Sequence, residues 1–568
     1  MTRPNGLSGI AALWLMAIAC GNSEGTGSGA AAAGTSGQEG GATMTGGSSP
    51  SAGGARGGTG GAGPAGADGS GSGGHGAADA GVAGSAGASA GGNQGTAGMA
   101  GAGGVSSGLW STVSKSAPPA WSGPTVTATV AVTQGTTVGH IGPGFVGLSY
   151  EKSHLTDQFF TGGNAPLIAL CKLLGSSVVR IGGNSVDKTS WQPTAPPAAV
   201  NSLSTSIGTA DVDGLATFLN ATDWRVIYGI NLKTSTASAA AAEATYAADR
   251  MGGSLLAFEI GNEPDLYHQP YATWSANFEA FGAAIRKAVP GAPLAGPATA
   301  GGGLYEAVEL AHDDASQLTL LTQHYYRGSG KTTDPTSVTM ADLLALDTGL
   351  ISDLKQLSTA ATSNHISGGY RLAETNSFFA HGAPGVSNAF GAALWAVDFL
   401  FENAQNGSSG VNFHGGGAGQ DGSSPFIYTP INEVAGVVTG AQPIFYGMLL
   451  VTSAGAGPVL ATTVHVTGVN LTGYAIGQAD GSTNVVLVNK DDTRGTAVDL
   501  DTGKSAAAAL AVFLAGPSVL ATSGVTFAGA SISSTGQWSP APAWTLPVTG
   551  QAVSIVVPPA SAVLIHVR

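Results

Sequence analysis

From about residue 141 onward, short runs of apolar and β-branched residues alternate with longer stretches whose apolar positions recur every three or four residues. The short runs fall at 145–150, 177–181, 225–230, 254–260, 292–295, 318–325, 370–373 and 410–413. Between them, 271–289 carries Trp274, Phe278, Phe281 and Ile285 at helical spacing, and 388–403 is long enough for another helix. Eight strand-sized runs joined by helix-length crossovers over about 290 residues predict an α/β fold, a closed (β/α)8 TIM barrel. An open doubly wound sheet is the alternative, but no glycine-rich phosphate loop follows the first strand.

After Tyr446 the texture changes. The runs 459–466, 472–478, 483–488, 497–500, 518–522 and 552–567 are separated by Gly, Asp and Asn, the pattern of a C-terminal antiparallel β-sandwich. The run 125–132 alternates in the same way, so a segment before the barrel is predicted to add a strand to that sandwich. The resulting organisation is an export signal at 1–19, a linker at 20–108, strand or strands joining the sandwich at 109–140, the barrel at 141–440 and the sandwich at 441–568.

Composition changes the picture only at the N-terminus. Thirty-four of the 90 glycines lie in 21–108, with Ala, Ser and Thr filling most of the rest. Such a stretch has too little apolar mass to offset the entropy of ordering it, and reads as a disordered tether. A Gly-rich chain of that length spans roughly 50 Å. Ahead of it, Arg3, an apolar stretch too short to cross a bilayer and Ala17-Ile18-Ala19 form an export signal with a small-x-small cleavage site. Cys20 follows at once, as in bacterial lipoproteins. The expectation is an exported chain, either membrane-anchored through lipid on Cys20, at the cell surface or on the periplasmic side, or secreted. Cys171 is then the only other cysteine, in an apolar helical segment where it reads as a buried inert thiol.

Acidic residues outnumber basic ones 34 to 20, and no basic run occurs, which argues against nucleic acid as a partner. His268, His312, His381 and His414 keep no metal-ligand spacing, so neither metal nor cofactor is expected.

Active groups of such barrels lie at the C-terminal ends of the strands. The fourth run leads into Ile260-Gly261-Asn262-Glu263-Pro264 and the seventh into Ala373-Glu374-Thr375-Asn376. Two glutamates thereby face each other across one mouth, as hydrolysis of a glycosidic bond requires. Glu259, within the fourth strand, reads as structural.

These elements resemble the retaining (β/α)8 glycosidases with catalytic glutamates after strands four and seven, and within them glycoside hydrolase family 79, the β-glucuronidase and heparanase family. The resemblance is carried by Gly147-Leu148-Ser149-Tyr150-Glu151, Val179-Arg180-Ile181-Gly182-Gly183-Asn184, the Asn-Glu-Pro element, Gln323-His324-Tyr325-Tyr326, Glu374-Thr375-Asn376-Ser377, Ala383-Pro384-Gly385-Val386-Ser387-Asn388 and Val411-Asn412-Phe413-His414-Gly415-Gly416. It spans roughly residues 120–568.

The resemblance implies Glu263 as acid/base, Glu374 as nucleophile and Asn262 as partner of the sugar 2-hydroxyl. It also implies Tyr325 as hydrogen-bond donor to Glu374, Glu151 as acceptor from sugar hydroxyls, and the loop from Gly415 to Tyr428, with Gly416, as the grip on a uronate carboxylate. An insertion around 419–425 departs from the family pattern. The expected substrate is a carbohydrate, a glucuronide or glucuronic-acid-containing glycan, cleaved by exo-acting removal of β-linked (also 4-O-methyl) glucuronic acid. Endo-action, a neutral sugar, or a non-catalytic carbohydrate-binding surface lipoprotein are the alternatives.

Overall fold

The computed structural model describes residues 106–114, 116–196, 204–330, 338–417, 426–434 and 436–568. The export signal, Cys20, nearly all of the glycine-rich linker and the 419–425 insertion lie outside the described residues. The last linker positions, 106–108, belong to the short helix Ser106–Leu109.

Eight parallel strands close the barrel: β1 Val146–Glu151, β2 Val178–Gly182, β3 Arg225–Ile230, β4 Leu255–Ile260, β5 Leu294–Thr299, β6 Leu320–Ser329, β7 Tyr370–Phe379 and β8 Val411–Gly415. Each grows from one of the eight apolar runs. Closure is made where β8 pairs with β1, Phe413 opposite Leu148. β6 and β7 run several residues beyond their expected ends, because they stay paired past the mouth, Asn376 opposite Tyr326 and Phe379 opposite Ser329. On the outside, Tyr271–Ala288 buries Trp274, Phe278, Phe281 and Ile285 on one stripe. Cys171 is buried, and burial pushes its thiol up.

The barrel extends beyond the boundary expected at residue 440. Helix Pro443–Ser453 packs against Phe390–Gln405 and completes the helical layer, and the second sheet begins at Gly457. Both helices are buried almost all round, wedged between barrel and sheet. Pro443–Ser453 therefore lacks the polar face that would mark it as amphipathic. The closest approach of the two helices needs Gly447: a Cβ there would stand 2.2 Å from the Ala393 carbonyl oxygen.

Among the described residues, the second sheet has eleven strands around a core of its own, which includes Val130, Leu487, Val498, Ile555, Val563 and Ile565. Strand Thr125–Ile141 lies within it, antiparallel to Gly457–Val466 but parallel to Gly495–Asp501, so the sheet is not purely antiparallel. The run 518–522 forms a turn. The neighbouring strand is Ala509–Ala515, whose alanine-rich, almost fully buried sequence has no alternation to read. The sheet is pinned to the barrel by Asp398 on Phe390–Gln405, which pairs with Lys490 and accepts from Thr472 and Tyr474. Among the described residues, no helix is long and apolar enough to cross a membrane.

Candidate active site

Past β4 the chain turns sharply. Gly261 and Glu263 both adopt left-handed backbone conformations, Glu263 with φ 48°. For a glutamate this is strained, and the strain is held by two hydrogen bonds: Glu263 N–H to the Ala298 carbonyl at 2.9 Å, and Leu266 N–H to the Glu263 carbonyl at 2.9 Å. The second carboxylate is aimed by a different device. β7 carries one extra residue against β6, because Leu372 faces Gln323 while Glu374 faces His324. A bulge at this point re-aims the side chain that follows it. As a result, Glu263, His324 and Glu374 each present an atom within 4.8 Å of the others.

Arg180 on β2 joins the group from beneath. Its guanidinium is fully buried and donates to Glu374 Oε2 at 2.6 Å, Glu259 Oε2 at 2.6 Å and Asn262 Oδ1 at 2.9 Å. The Tyr326 hydroxyl donates to Glu374 Oε1 at 3.0 Å, and His414 Nδ1 stands 3.8 Å from Glu374. Burial pushes the Glu374 carboxyl up, but the facing His414 and His324 rings, the Arg180 charge and the Tyr326 hydroxyl outweigh it and hold the group well below the usual carboxylate range. Burial also pushes His414 down. Glu263 has a different setting: its side chain is 21% exposed, against 11% for Glu374, and its close polar partner is His324 Nδ1 at 3.1 Å. One carboxylate is kept ionised and enclosed; the other faces solvent beside a histidine. A metal at this cluster would meet the Arg180 guanidinium, which already contacts Glu374 and lies 3.2 Å from His324.

The remaining expected contacts divide. Asn262 is buried beside Glu263, with its amide group donating to Asn184 Oδ1 at 3.4 Å. Tyr325 does not reach Glu374; its hydroxyl donates to Asp347 Oδ2 at 2.6 Å and its ring lies against Phe399 in the helical layer. Alternation along β6 is the reason, since His324 and Tyr326 face inward and Tyr325 must face outward. Glu151 reaches the mouth, but its two oxygens accept Asn184 N–H at 3.1 Å and Ser185 N–H at 2.6 Å, so it anchors the loop after β2.

The glycine loop also differs from expectation. Gly416 N–H is taken by Thr429 Oγ1 at 3.1 Å and Gly417 N–H by Glu433 Oε1 at 2.7 Å, so neither amide is available to cradle an anion. Gly416 itself is obligatory: at φ 152°, a Cβ would press on Phe426 and on His154 Nε2. Tyr428 does join the site, stacked on Phe426 with ring centroids 5.4 Å apart and 5.9 Å from Tyr326.

Sequence reasoning assigned no role to Arg180, His324, Tyr326 or His414. Arg180 was visible as the lone charge in an otherwise apolar strand, Val-Val-Arg-Ile-Gly. Tyr326 could have been chosen over Tyr325 by counting in twos from His324.

The fold and site define a (β/α)8 barrel whose mouth holds two facing carboxylates, one of them clamped by a buried arginine. No family model matches the chain. It is 30% identical over 267 residues to a β-glucuronidase of Aspergillus niger, covering 40% of this chain and 49% of that one. It is 32% identical over 139 residues to a β-glucuronidase of Neurospora crassa, covering 22% and 24%. The chain thus matches about half the length of the first relative and about a quarter of the second. Among solved structures, a 4-O-α-L-rhamnosyl-β-D-glucuronidase from Fusarium oxysporum 12S, in complex with Rha-GlcA, superposes with a TM-score of 0.62. Its identity is 18%, and the match covers 80% of this chain and 99% of that one, a likeness of fold.

Proposed function

We propose that this chain is a retaining glycoside hydrolase, an exo-acting β-glucuronidase of the family 79 type, exported and held at the cell surface by lipid on Cys20. The observation that carries the reaction type is the closeness of the two carboxylates: an oxygen of Glu263 and one of Glu374 lie within 4.8 Å. Retaining enzymes work with their carboxyl groups about 5–5.5 Å apart, whereas an inverting enzyme needs ~6.5–9.5 Å to admit a water. Glucuronic acid as the sugar is supported by the two curated relatives named β-glucuronidase.

In this reading Glu374, ionised and oriented by Arg180 and Tyr326, attacks the anomeric carbon while Glu263 gives its proton to the leaving oxygen. The glycosyl-enzyme ester forms on Glu374 as the glycosidic bond breaks. Glu263, now a carboxylate accepting from His324, takes a proton from water, whose oxygen displaces Glu374 and restores the starting configuration. Asn262 holds the 2-hydroxyl, and Glu151 keeps the loop carrying Asn184 in place against Asn262. Among the described residues of the β8 loop, Tyr428 is the expected contact that remains for the uronate end. A panel of chromogenic sugars tests the proposal. Release from the β-glucuronide and not from neutral glycosides supports it; release from a neutral sugar alone, or from none, overturns it.

A further inference from the structure

Glu259 lies four residues before Glu263 on β4, fully buried inside the barrel. Its Oε2 accepts the Arg180 Nε–H at 2.6 Å, while its Oε1 has no hydrogen-bond partner among the described residues. Leaving a buried carboxylate oxygen bare is costly, so a purely structural role explains this placement poorly.

The geometry of Arg180 supplies the missing reason. A guanidinium is a rigid planar fork, so fixing the direction of Nε–H fixes both Nη groups. One arm, Nη1, goes to the nucleophile, Glu374 Oε2, at 2.6 Å. The other, Nη2, goes to Asn262 Oδ1 at 2.9 Å and to His324 Nε2 at 3.2 Å. Arginine has no acceptor, so in the neutral ring Nε2 accepts and the His324 proton sits on Nδ1, which faces Glu263 Oε1 at 3.1 Å; the protonated ring donates to Glu263 from the same Nδ1. One fork thereby addresses the nucleophile directly and the acid/base through a histidine whose Nδ1–H faces it. The Arg180 charge is also divided between two carboxylates, so Glu374 is not tied into an exclusive ion pair.

We propose that Glu259 is the positioning residue of this site: acting through Arg180, it sets the placement of Glu374, Asn262 and the His324–Glu263 pair. This rests on the retaining reading above, and the test separates the two. Glu259→Gln, Arg180→Lys and the double variant are assayed on aryl β-glycosides, with thermal melting followed in parallel. Glu259→Gln is expected to melt cooperatively, to lose kcat by about 100-fold, the cost of a misplaced catalytic group, and to keep KM within about two-fold. On the Arg180→Lys background the same change is expected to cost less than about two-fold more, because the group it acts through is gone.

Equal losses on both backgrounds, a loss confined to KM, or wild-type kcat would overturn the proposal. Glu259→Asp keeps the charge but shortens the reach, and is expected to lose kcat in the same way; full activity there would also overturn it. The Arg180 Nε–H proton resonance, assigned by its disappearance in Arg180→Lys, is expected far downfield in the wild type and shifted upfield in Glu259→Gln. An unmoved resonance refutes the role of Glu259 even if the wild type cleaves no sugar, an outcome that would sink the glycosidase reading separately.

Discussion

Tyr326 and Tyr325 are adjacent, chemically identical and differently engaged, so removing one hydroxyl at a time isolates the contact to Glu374, the nucleophile of the proposed mechanism. Tyr326 donates to Glu374 Oε1 at 3.0 Å, and Tyr325 to Asp347 Oδ2 at 2.6 Å. A hydrogen bond to a charged group contributes about 1.5–3 kcal/mol. In the glycosyl-enzyme the Glu374 oxygens belong to a neutral ester, a weaker acceptor; the full bond returns as the carboxylate leaves. Loss of the donor therefore falls mainly on the second step, and at about 1.4 kcal/mol per tenfold it slows that step by about 10- to 100-fold. Tyr326→Phe should accumulate the glycosyl-enzyme on a β-glucuronide with a good leaving group, seen as a burst of aglycone followed by slow turnover, and as a mass increment on the intact protein. Tyr325→Phe should keep kcat within about three-fold, with no burst beyond that of the wild type. A larger loss in Tyr325→Phe than in Tyr326→Phe, or wild-type turnover in Tyr326→Phe, would refute the reasoning.

Burial pushes His154 down, but its bond to Asp157 and the Asp157, Glu433 and Glu151 charges raise it to about 9, above its usual 6.5. Its stabilising contribution is therefore complete below pH about 6.5 and lost as pH rises through about 9. The gap in unfolding free energy between wild type and His154→Gln should shrink over that window; a gap that stays constant or widens contradicts this. Gly447→Ala should lower the melting temperature, since overpacking costs about 1–3 kcal/mol, whereas Gly253→Ala, with open space around the added methyl, should melt like wild type. Equal melting temperatures would show that the two helices can part. Cys20→Ala should release the protein from the membrane fraction; unchanged retention would remove the lipid anchor from the proposal.

The barrel was legible because its eight strands are buried on both faces and therefore appear as bare apolar runs between helix-length intervals. Glu263 and Glu374 were legible for the same reason, as polar residues just where those runs stop. What the sequence concealed lies where burial erases pattern. Pro443–Ser453 has no polar face, so it was assigned to the wrong side of the domain boundary, and Ala509–Ala515 has no alternation, so a turn was read as its strand. At the site, Tyr325 and Tyr326 differ only in parity along β6, and the fork that holds Glu374 directly and faces Glu263 through His324 is made by Arg180 and Glu259, charges hidden inside strands. The Gly416 and Gly417 amides could not be read at all, because their acceptors, Thr429 and Glu433, come from the far side of the loop.

The assignment of roles to the two carboxylates is tested most directly by azide rescue of their alanine variants on a β-glucuronide with a good leaving group. Glu374→Ala has lost the nucleophile but left room for azide on the face opposite the leaving group, and should form the α-glycosyl azide. Glu263→Ala still forms the glycosyl-enzyme, and azide entering on the vacated acid/base side should give the β-glycosyl azide. Those two anomers are what the account predicts. Exchanged anomers would reverse the roles of Glu263 and Glu374, and absence of rescue in both, from a wild type that turns the substrate over, would contradict the double displacement itself.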